Sequence, residues 1–195
     1  MQNLMSGHDE SKPRIPPGQE VVPGWPVLHH GRTPVIDLSR WRLRAFGLVE
    51  EEVDLAWEAF ISLPLSEELA DFHCVTGWSV LALRWEGVMV ADFMKLITPR
   101  PEARFVMVHA EAGWATNLPL EDFAHETAIF AIRCNGGDLP PEHGGPVRLV
   151  IPHLYAWKSA KWVTGVEFMD EDRPGFWEQR GYHMRGDPWK EERYG

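Results

Sequence analysis

Short apolar runs recur along the chain, and several of them alternate between apolar and polar positions. In residues 41–49, WRLRAFGLV, apolar side chains fall on one side and Arg42 and Arg44 on the other, as in a half-buried strand. Similar short runs bounded by turn residues predict strands at 70–75, 104–110, 128–134, 147–152 and 161–169.

Helical spacing occurs only in short segments. It predicts helices at 55–63, 90–97, 120–126 and 175–183. Asp54 is placed to cap the first of these, and Pro64 to end it. Many short strands with scattered short helices predict an α+β fold with several layers of mixed β structure, because a doubly wound fold would alternate strands with long helices.

The composition sets the domain plan. The chain has 195 residues, of which 44% are hydrophobic, and this is enough for one sizeable core. Residues 1–20 are polar and contain three prolines, which predicts a flexible or surface-hugging arm before a domain over 21–195. Ten tryptophans are many for this length, and such rings fill cores or line pockets.

Several classes of protein are disfavoured. The formal net charge of −10 argues against nucleic-acid binding. The motifs GxGxxG and GxxxxGK[ST] are absent, and no apolar run is long enough for a membrane span. Residues 1–20 do not have the pattern of a secretory signal, and the two cysteines make no disulfide framework, so we expect a cytoplasmic protein with reduced thiols.

Cys74 lies in the stretch DFHCVTGWSV, at the end of a predicted strand. A lone cysteine in an apolar strand is most often a small buried hydrophobe. A glycine turn follows at once, however, and places the sulfur where pockets form; a thiolate there needs positive charge or a metal. Cys134 has weaker context and is expected in the core.

A second group follows the long loop NGGDLPPEHGGP at 135–146. His143 and Arg148 project from its end, and KSAKW at 158–162 adds Lys158, Ser159 and Lys161. Arg148 and Lys161 together suit an anion such as a phosphate; the alternative is two solvated charges on neighbouring strands. The nine histidines form no HExxH or paired zinc spacing, so zinc is weakly supported.

Three blocks together resemble the molybdopterin-binding domain of the sulfite oxidase family. They are FHCVTGWS (72–79), LPPEHGGPVRLVIP (139–152) and KSAKWV (158–163). The first is most similar to the bacterial branch that includes the catalytic subunit of periplasmic methionine sulfoxide reductase, where the pattern is roughly C-V-x-x-W-S. The resemblance implies a sulfite oxidase-like fold and an enzyme that transfers an oxygen atom to or from a small, sulfur-containing substrate.

The resemblance also implies roles for single residues around a molybdenum–molybdopterin cofactor. Cys74 would bind the molybdenum. Seven further residues would hold the pterin phosphate and ring: His29, His30, Gly31, His143, Arg148, Ser159 and Lys161. A further contact is expected near 109–111, Trp78 and Trp114 are expected to shape the pocket, and His73 to orient the ligand strand.

The chain departs from the family pattern in several places. The dimerisation domain of sulfite oxidases and a CxxCH haem motif are absent, and VTGWSV replaces the arginine-rich stretch that follows the cysteine. These differences count against sulfite and methionine sulfoxide as substrates and leave the cofactor better supported than the reaction. They also predict a separate electron carrier, such as a cytochrome. The alternatives are a non-catalytic molybdopterin carrier, a zinc or redox thiol protein, and a structural protein with a relic pocket.

Overall fold

The computed structural model describes residues 13–195, which form two β-sheets joined by short helices. Most of the predicted N-terminal arm, with His8, lies outside the described residues. The described strands are β1 (Glu20–Val21), β2 (Arg42–Gly47), β3 (Val53–Ala56), β4 (Leu65–His73), β5 (Trp78–Met89), β6 (Phe105–Ala110), β7 (Ala115–Pro119), β8 (Ile129–Cys134), β9 (Gly137–Asp138), β10 (Arg148–Val150) and β11 (Val163–Met169). The described α-helices are α1 (Trp57–Ile61), α2 (Val90–Met94) and α3 (Leu120–Phe123).

The first sheet is organised around the long strand β5. Strand β4 pairs with it antiparallel along most of its length, and β8 pairs antiparallel with its second half. The short strand β1 adds in parallel beside the start of β5, while β9 and β10 extend the sheet from β8. The described part of the N-terminal arm is therefore attached to this sheet.

The second sheet is organised around β11, in the order β3-β2-β11-β6-β7. Strand β2 runs parallel to β11, and β6 runs antiparallel to it. Mixed sheets with few short helices confirm the predicted fold class.

The main core lies between the two sheets, and a smaller one covers the other face of the first sheet. Successive residues of a strand point to opposite faces. Phe130 therefore enters the main core, whereas its neighbours Ile129 and Ala131 enter the second. The helices contribute Phe60 and Phe93, which pack on Phe130 with ring centres 6.4 and 5.2 Å apart. The second core borders the candidate site.

Several predicted elements are corrected by the structure. Helix α1 begins only at Trp57, because Asp54 belongs to β3 and binds Arg42 at 2.8 Å instead of capping a helix. The helix predicted over 175–183 is a single 3-10 turn, Glu178–Arg180. Strand β4 begins five residues before the predicted start, and the helices at 90 and 120 end earlier than predicted.

Strands β3, β5 and β7 were not predicted from the sequence. Alternation in β5 is broken near Ala82, which has a positive φ of 54° and lies where the register against β4 shifts. The side chains that face the second core are Trp78 and Val80 before this point and Leu83 and Trp85 after it, so no single period-two pattern spans the strand.

Candidate active site

A pocket of about 340 Å³ opens beside the second core and collects the predicted site residues. Cys74, His143, Arg148, Ser159 and Lys161 line it, together with His29 and His30. Gly31 is exposed and does not belong to its wall. The structure therefore brings together residues from three distant parts of the sequence.

Cys74 lies in a tight turn immediately after β4. The Gly77 N–H donates to the Cys74 carbonyl at 3.0 Å, and the positive φ of Gly77, 95°, lets the chain reverse there. The Cys74 N–H donates to the Trp78 carbonyl at 2.9 Å. The thiol is half-buried on the pocket wall, so the reading of Cys74 as a simple core side chain is wrong.

Cys134 has a different environment at the end of β8. It is half-buried against the second core, as expected for a packing residue. Burial raises the pKa of its thiol to about 11, which keeps it protonated at neutral pH.

His143 is fixed by stacking on Trp25. The two ring centres are 3.8 Å apart and the planes differ by 18°. Gly144 follows with a φ of 110°, and a Cβ there would lie only 3.0 Å from the Cβ of Lys161. Glycine thus allows the loop to lie directly on the Lys161 side chain.

Arg148 is a buried cation without a carboxylate partner among residues 13–195. One guanidinium nitrogen donates to the His143 carbonyl at 2.8 Å, and the guanidinium carbon lies 4.9 Å from the Phe72 ring centre. Burial lowers the pKa of Arg148 to about 9, so it still carries its charge at neutral pH. The reading of this residue as a solvated strand charge is wrong.

Lys161 is half-buried and also lacks an ion pair within the described chain. Its ammonium donates to the carbonyls of Glu142 at 2.6 Å and Leu28 at 3.0 Å. Burial and then the nearby Arg148 lower the pKa of Lys161 to about 7. Burial, followed by the same cations, lowers the pKa of His143 to about 4. Arg148 keeps its charge at neutral pH, and an anion bound in the pocket would also favour the charged form of Lys161.

The neighbours of Lys161 divide between the site and the core. The Ser159 hydroxyl is buried and accepts from the Ile151 N–H at 3.0 Å, which leaves its own proton for another acceptor. Lys158 points away from the pocket and pairs with Glu178 at 2.6 Å, in full burial. Lys158 therefore has a structural role.

Four aromatic side chains also line the pocket and are called the aromatic wall here: Trp114, Trp157, Trp177 and Tyr182. Trp177 bridges Trp114 and Tyr182, with ring centres 5.8 and 5.1 Å away. Trp78 and Trp114 were expected to line the pocket and do so. Trp25, Trp157, Trp177 and Tyr182 were missed, because nothing near them in sequence marks them as different from core rings.

Two further expectations can be placed. His109 contacts Glu167 at 2.9 Å and stacks on Phe46, away from the pocket. The nearby wall is formed instead by residues 114–116, after the chain turns into β7. His73 is buried at the end of β4, where its ring bonds the Ser79 hydroxyl at 2.8 Å.

Comparison with known proteins decides the family. The oxidoreductase molybdopterin-binding domain matches residues 30–177, which include Cys74, Arg148 and Lys161. The chain belongs to this family. The resemblance seen in its three sequence blocks is thereby confirmed, and the protein is a molybdopterin-dependent oxidoreductase.

Its relatives span a range of similarity. The uncharacterized oxidoreductase YuiH of Bacillus subtilis is 50% identical over 182 residues, which are 93% of this chain and 92% of that protein. The protein-methionine-sulfoxide reductase catalytic subunit MsrP of Campylobacter jejuni is 26% identical over 72% of this chain. That match takes in 52% of MsrP, so this chain spans about half its length.

A solved structure shares the fold. The sulfane dehydrogenase SoxCD of Paracoccus pantotrophus superposes with a TM-score of 0.69 at 20% identity, over 78% of this chain and 43% of that chain. This likeness supports the architecture of the oxidoreductase domain, with its two mixed sheets.

The pocket of this oxidoreductase fits the anionic cofactor that its family name implies. The Arg148 Nε and the His143 Nδ1 are buried and have no hydrogen-bond partner among residues 13–195. Buried polar groups left unpaired are costly, so a ligand with acceptor oxygens would satisfy them. Within the described residues, no three His, Cys, Asp or Glu side chains are grouped to hold a metal, but a metal bound by one cysteine and an organic cofactor needs no such group.

Proposed function

We propose that this oxidoreductase holds a molybdenum–molybdopterin cofactor and transfers an oxygen atom to or from a small, sulfur-containing substrate. One observation carries the proposal. The Cys74 thiol shares a pocket with Arg148 and Lys161, two cations that form no ion pair among residues 13–195. A soft sulfur ligand beside an anion-binding site matches what a metal bound through an anionic cofactor requires.

Individual roles follow from this arrangement. Arg148 and Lys161 would bind the phosphate of the cofactor, the arginine through a planar pair of donors and the lysine as a point charge. Ser159 and His143 would donate hydrogen bonds to the pterin part, and His143 is already held flat by Trp25. His29 and His30 would contact the pterin from the edge of the pocket, and Gly31, which is exposed, is the least supported of the predicted contacts.

The chain's own residues would hold and orient the cofactor and shield it from water. When bound, the molybdenum centre supplies oxygen-atom transfer with a two-electron change. The turn at Cys74 fixes the sulfur, because both its carbonyl and its N–H are hydrogen-bonded. The aromatic wall would exclude water from the part of the pocket that it lines.

The substrate side favours an uncharged molecule over a sulfur oxyanion. The aromatic wall carries no cation, and the two pocket cations lie on the side proposed for the cofactor. We therefore expect faster turnover with neutral sulfoxides than with sulfite. Comparable or faster sulfite turnover would remove this part of the proposal.

Electrons would pass to or from a separate carrier such as a cytochrome. The net charge of −10 favours a carrier with a basic face, so the rate with a basic cytochrome should fall as salt rises. A salt-independent rate would contradict electrostatic docking. No helix in residues 13–195 combines the length and apolar character needed to cross a bilayer. The cytoplasmic location stays a prediction.

Replacement of the metal ligand tests the proposal. Cys74→Ser should keep the pterin, which the cations hold, and lose oxygen-transfer activity with artificial dyes, because the soft ligand is gone. Cys134→Ser is the matched control and should stay active, since that thiol lies outside the pocket. Undiminished activity of Cys74→Ser would show that Cys74 is not the ligand.

A further inference from the structure

Thr76 contacts the sulfur of Cys74 directly. Its hydroxyl donates to Cys74 Sγ at 3.2 Å, and among the described residues this is the one hydrogen bond that reaches the sulfur. Thr76 lines the pocket and is otherwise exposed. Neither packing nor a fold contact accounts for the orientation of its hydroxyl.

The backbone holds this contact in place. Thr76 lies inside the turn closed by the hydrogen bond from the Gly77 N–H to the Cys74 carbonyl. That carbonyl also accepts from the side-chain amide of Gln19 at 3.1 Å, and Arg193 donates to the carbonyl of Val75. The hydroxyl and the sulfur therefore belong to one firmly tied turn, so little ordering is needed to form their hydrogen bond.

We propose that Thr76 is a positioning residue that tunes the metal through Cys74. The inference rests on the proposed function, in which the Cys74 sulfur binds molybdenum. A hydrogen bond to a ligand sulfur draws electron density away from it, so the sulfur donates less charge to the metal. Hydrogen bonds to ligand sulfurs are known to set reduction potentials in this way. The hydroxyl of Thr76 therefore raises the potential of the centre and favours its reduced form.

Valine in place of threonine removes the donor while keeping the shape. In the molybdenum-loaded protein, Thr76→Val should lower the midpoint potential of the centre, by a roughly 2- to 10-fold change in the reduction equilibrium constant, as expected for one net hydrogen bond. The sulfur-to-metal charge-transfer band should move to longer wavelength, because the sulfur electrons are held less tightly. Thr76→Ser keeps a hydroxyl and should restore both values.

A matched substitution excludes general effects of the change. Thr164 donates to the His109 carbonyl outside the pocket, so Thr164→Val should leave both the potential and the band unchanged. The inference is overturned if Thr76→Val has the potential and band of the unaltered protein. It is also overturned if Thr76→Ser behaves like Thr76→Val, because loss of shape would then explain the effect.

Cys74→Ser separates this inference from the function on which it rests. If the unaltered protein has a band that Cys74→Ser loses, while Thr76→Val leaves it in place, the ligand assignment stands and the role of Thr76 fails. If the unaltered protein has no such band, or Cys74→Ser retains it, both fail.

Discussion

Lys158 and Lys161 lie three positions apart in the sequence, yet they differ in burial and in ion pairing. Lys158 is fully buried and pairs with Glu178 at 2.6 Å, with two further acceptors on Asn117 at 2.9 Å. Lys161 is half-buried, and within the described chain its ammonium contacts carbonyls but forms no ion pair. A buried cation in contact with an anion needs no further partner. A buried cation without one is stabilised when an anionic ligand binds.

The same contrast explains the state of Arg148. Taking a charge out of water is expensive, and an opposite charge nearby is what usually offsets the cost. Glu178 does this for Lys158 by direct contact, whereas neither Arg148 nor Lys161 has a carboxylate in ion-pair contact among residues 13–195. The unfavourable free energy of burying these two cations is offset when an anion binds next to them.

The largest expected effect concerns the stability of the completed pair. Lys158→Met leaves the Glu178 carboxylate buried and unpaired, so we expect a loss of about 3–5 kcal/mol in the free energy of unfolding. The double variant Lys158→Met/Glu178→Met should recover much of it, since both charges are gone. Urea unfolding of the cofactor-free protein measures this.

Lys161→Met is the control for that experiment. It removes a cation that folding buries without an ion pair, so the free energy of unfolding of the cofactor-free protein should not fall at neutral pH. Equal losses for the two lysine variants would mean that they do not differ as described.

For cofactor retention, the variant of Lys161 should have the larger effect and the variant of Lys158 the smaller one. Lys161→Met and Arg148→Met each remove a charge-assisted contact to an anion, typically about 1.5–3 kcal/mol, or roughly 10- to 100-fold in affinity. Pterin content after gel filtration should fall in both. The Lys158→Met/Glu178→Met variant should keep its pterin; full retention in the Lys161 and Arg148 variants would refute the anchor role.

The smallest expected effect is on the pH dependence of the cofactor-free protein. The pKa of Lys161 falls from 10.5 to about 7 on folding, so between these values the unfolded chain binds more protons. Stability therefore rises with pH across this range. Lys161→Met should show a shallower rise in thermal unfolding scans between pH 7 and 10. An unchanged slope would mean that the ammonium is not desolvated.

The sequence predicted the polar side of the pocket better than its walls. Cys74, Arg148 and Lys161 lie in motifs whose residue types and order carry chemical meaning. Trp25 does not, because it meets His143 only after β1 has joined the first sheet, some 120 positions away along the chain. Local pattern cannot indicate such a contact.

The difference between the two lysines was also invisible in the sequence. In KSAKW both are cations near a loop, and although Lys161 was the one predicted to bind an anion, nothing in the sequence indicated that Lys158 would be fully buried. A 3-10 turn, Ala156–Lys158, directs the first into the core, where Glu178 arrives from the C-terminal segment. The fold was predictable where strands alternate regularly, as in β2, and was missed where a bulge interrupts β5.

The content of molybdenum and pterin in the purified protein tests the central claim most directly. The claim is that the unpaired cations and the Cys74 sulfur form one cofactor site. Elemental analysis and pterin fluorescence should find the two in about equal amounts in the unaltered protein, with pterin lost from Lys161→Met and retained in Lys158→Met/Glu178→Met. Protein expressed with a full supply of the cofactor that nevertheless carries neither molybdenum nor pterin would contradict the claim.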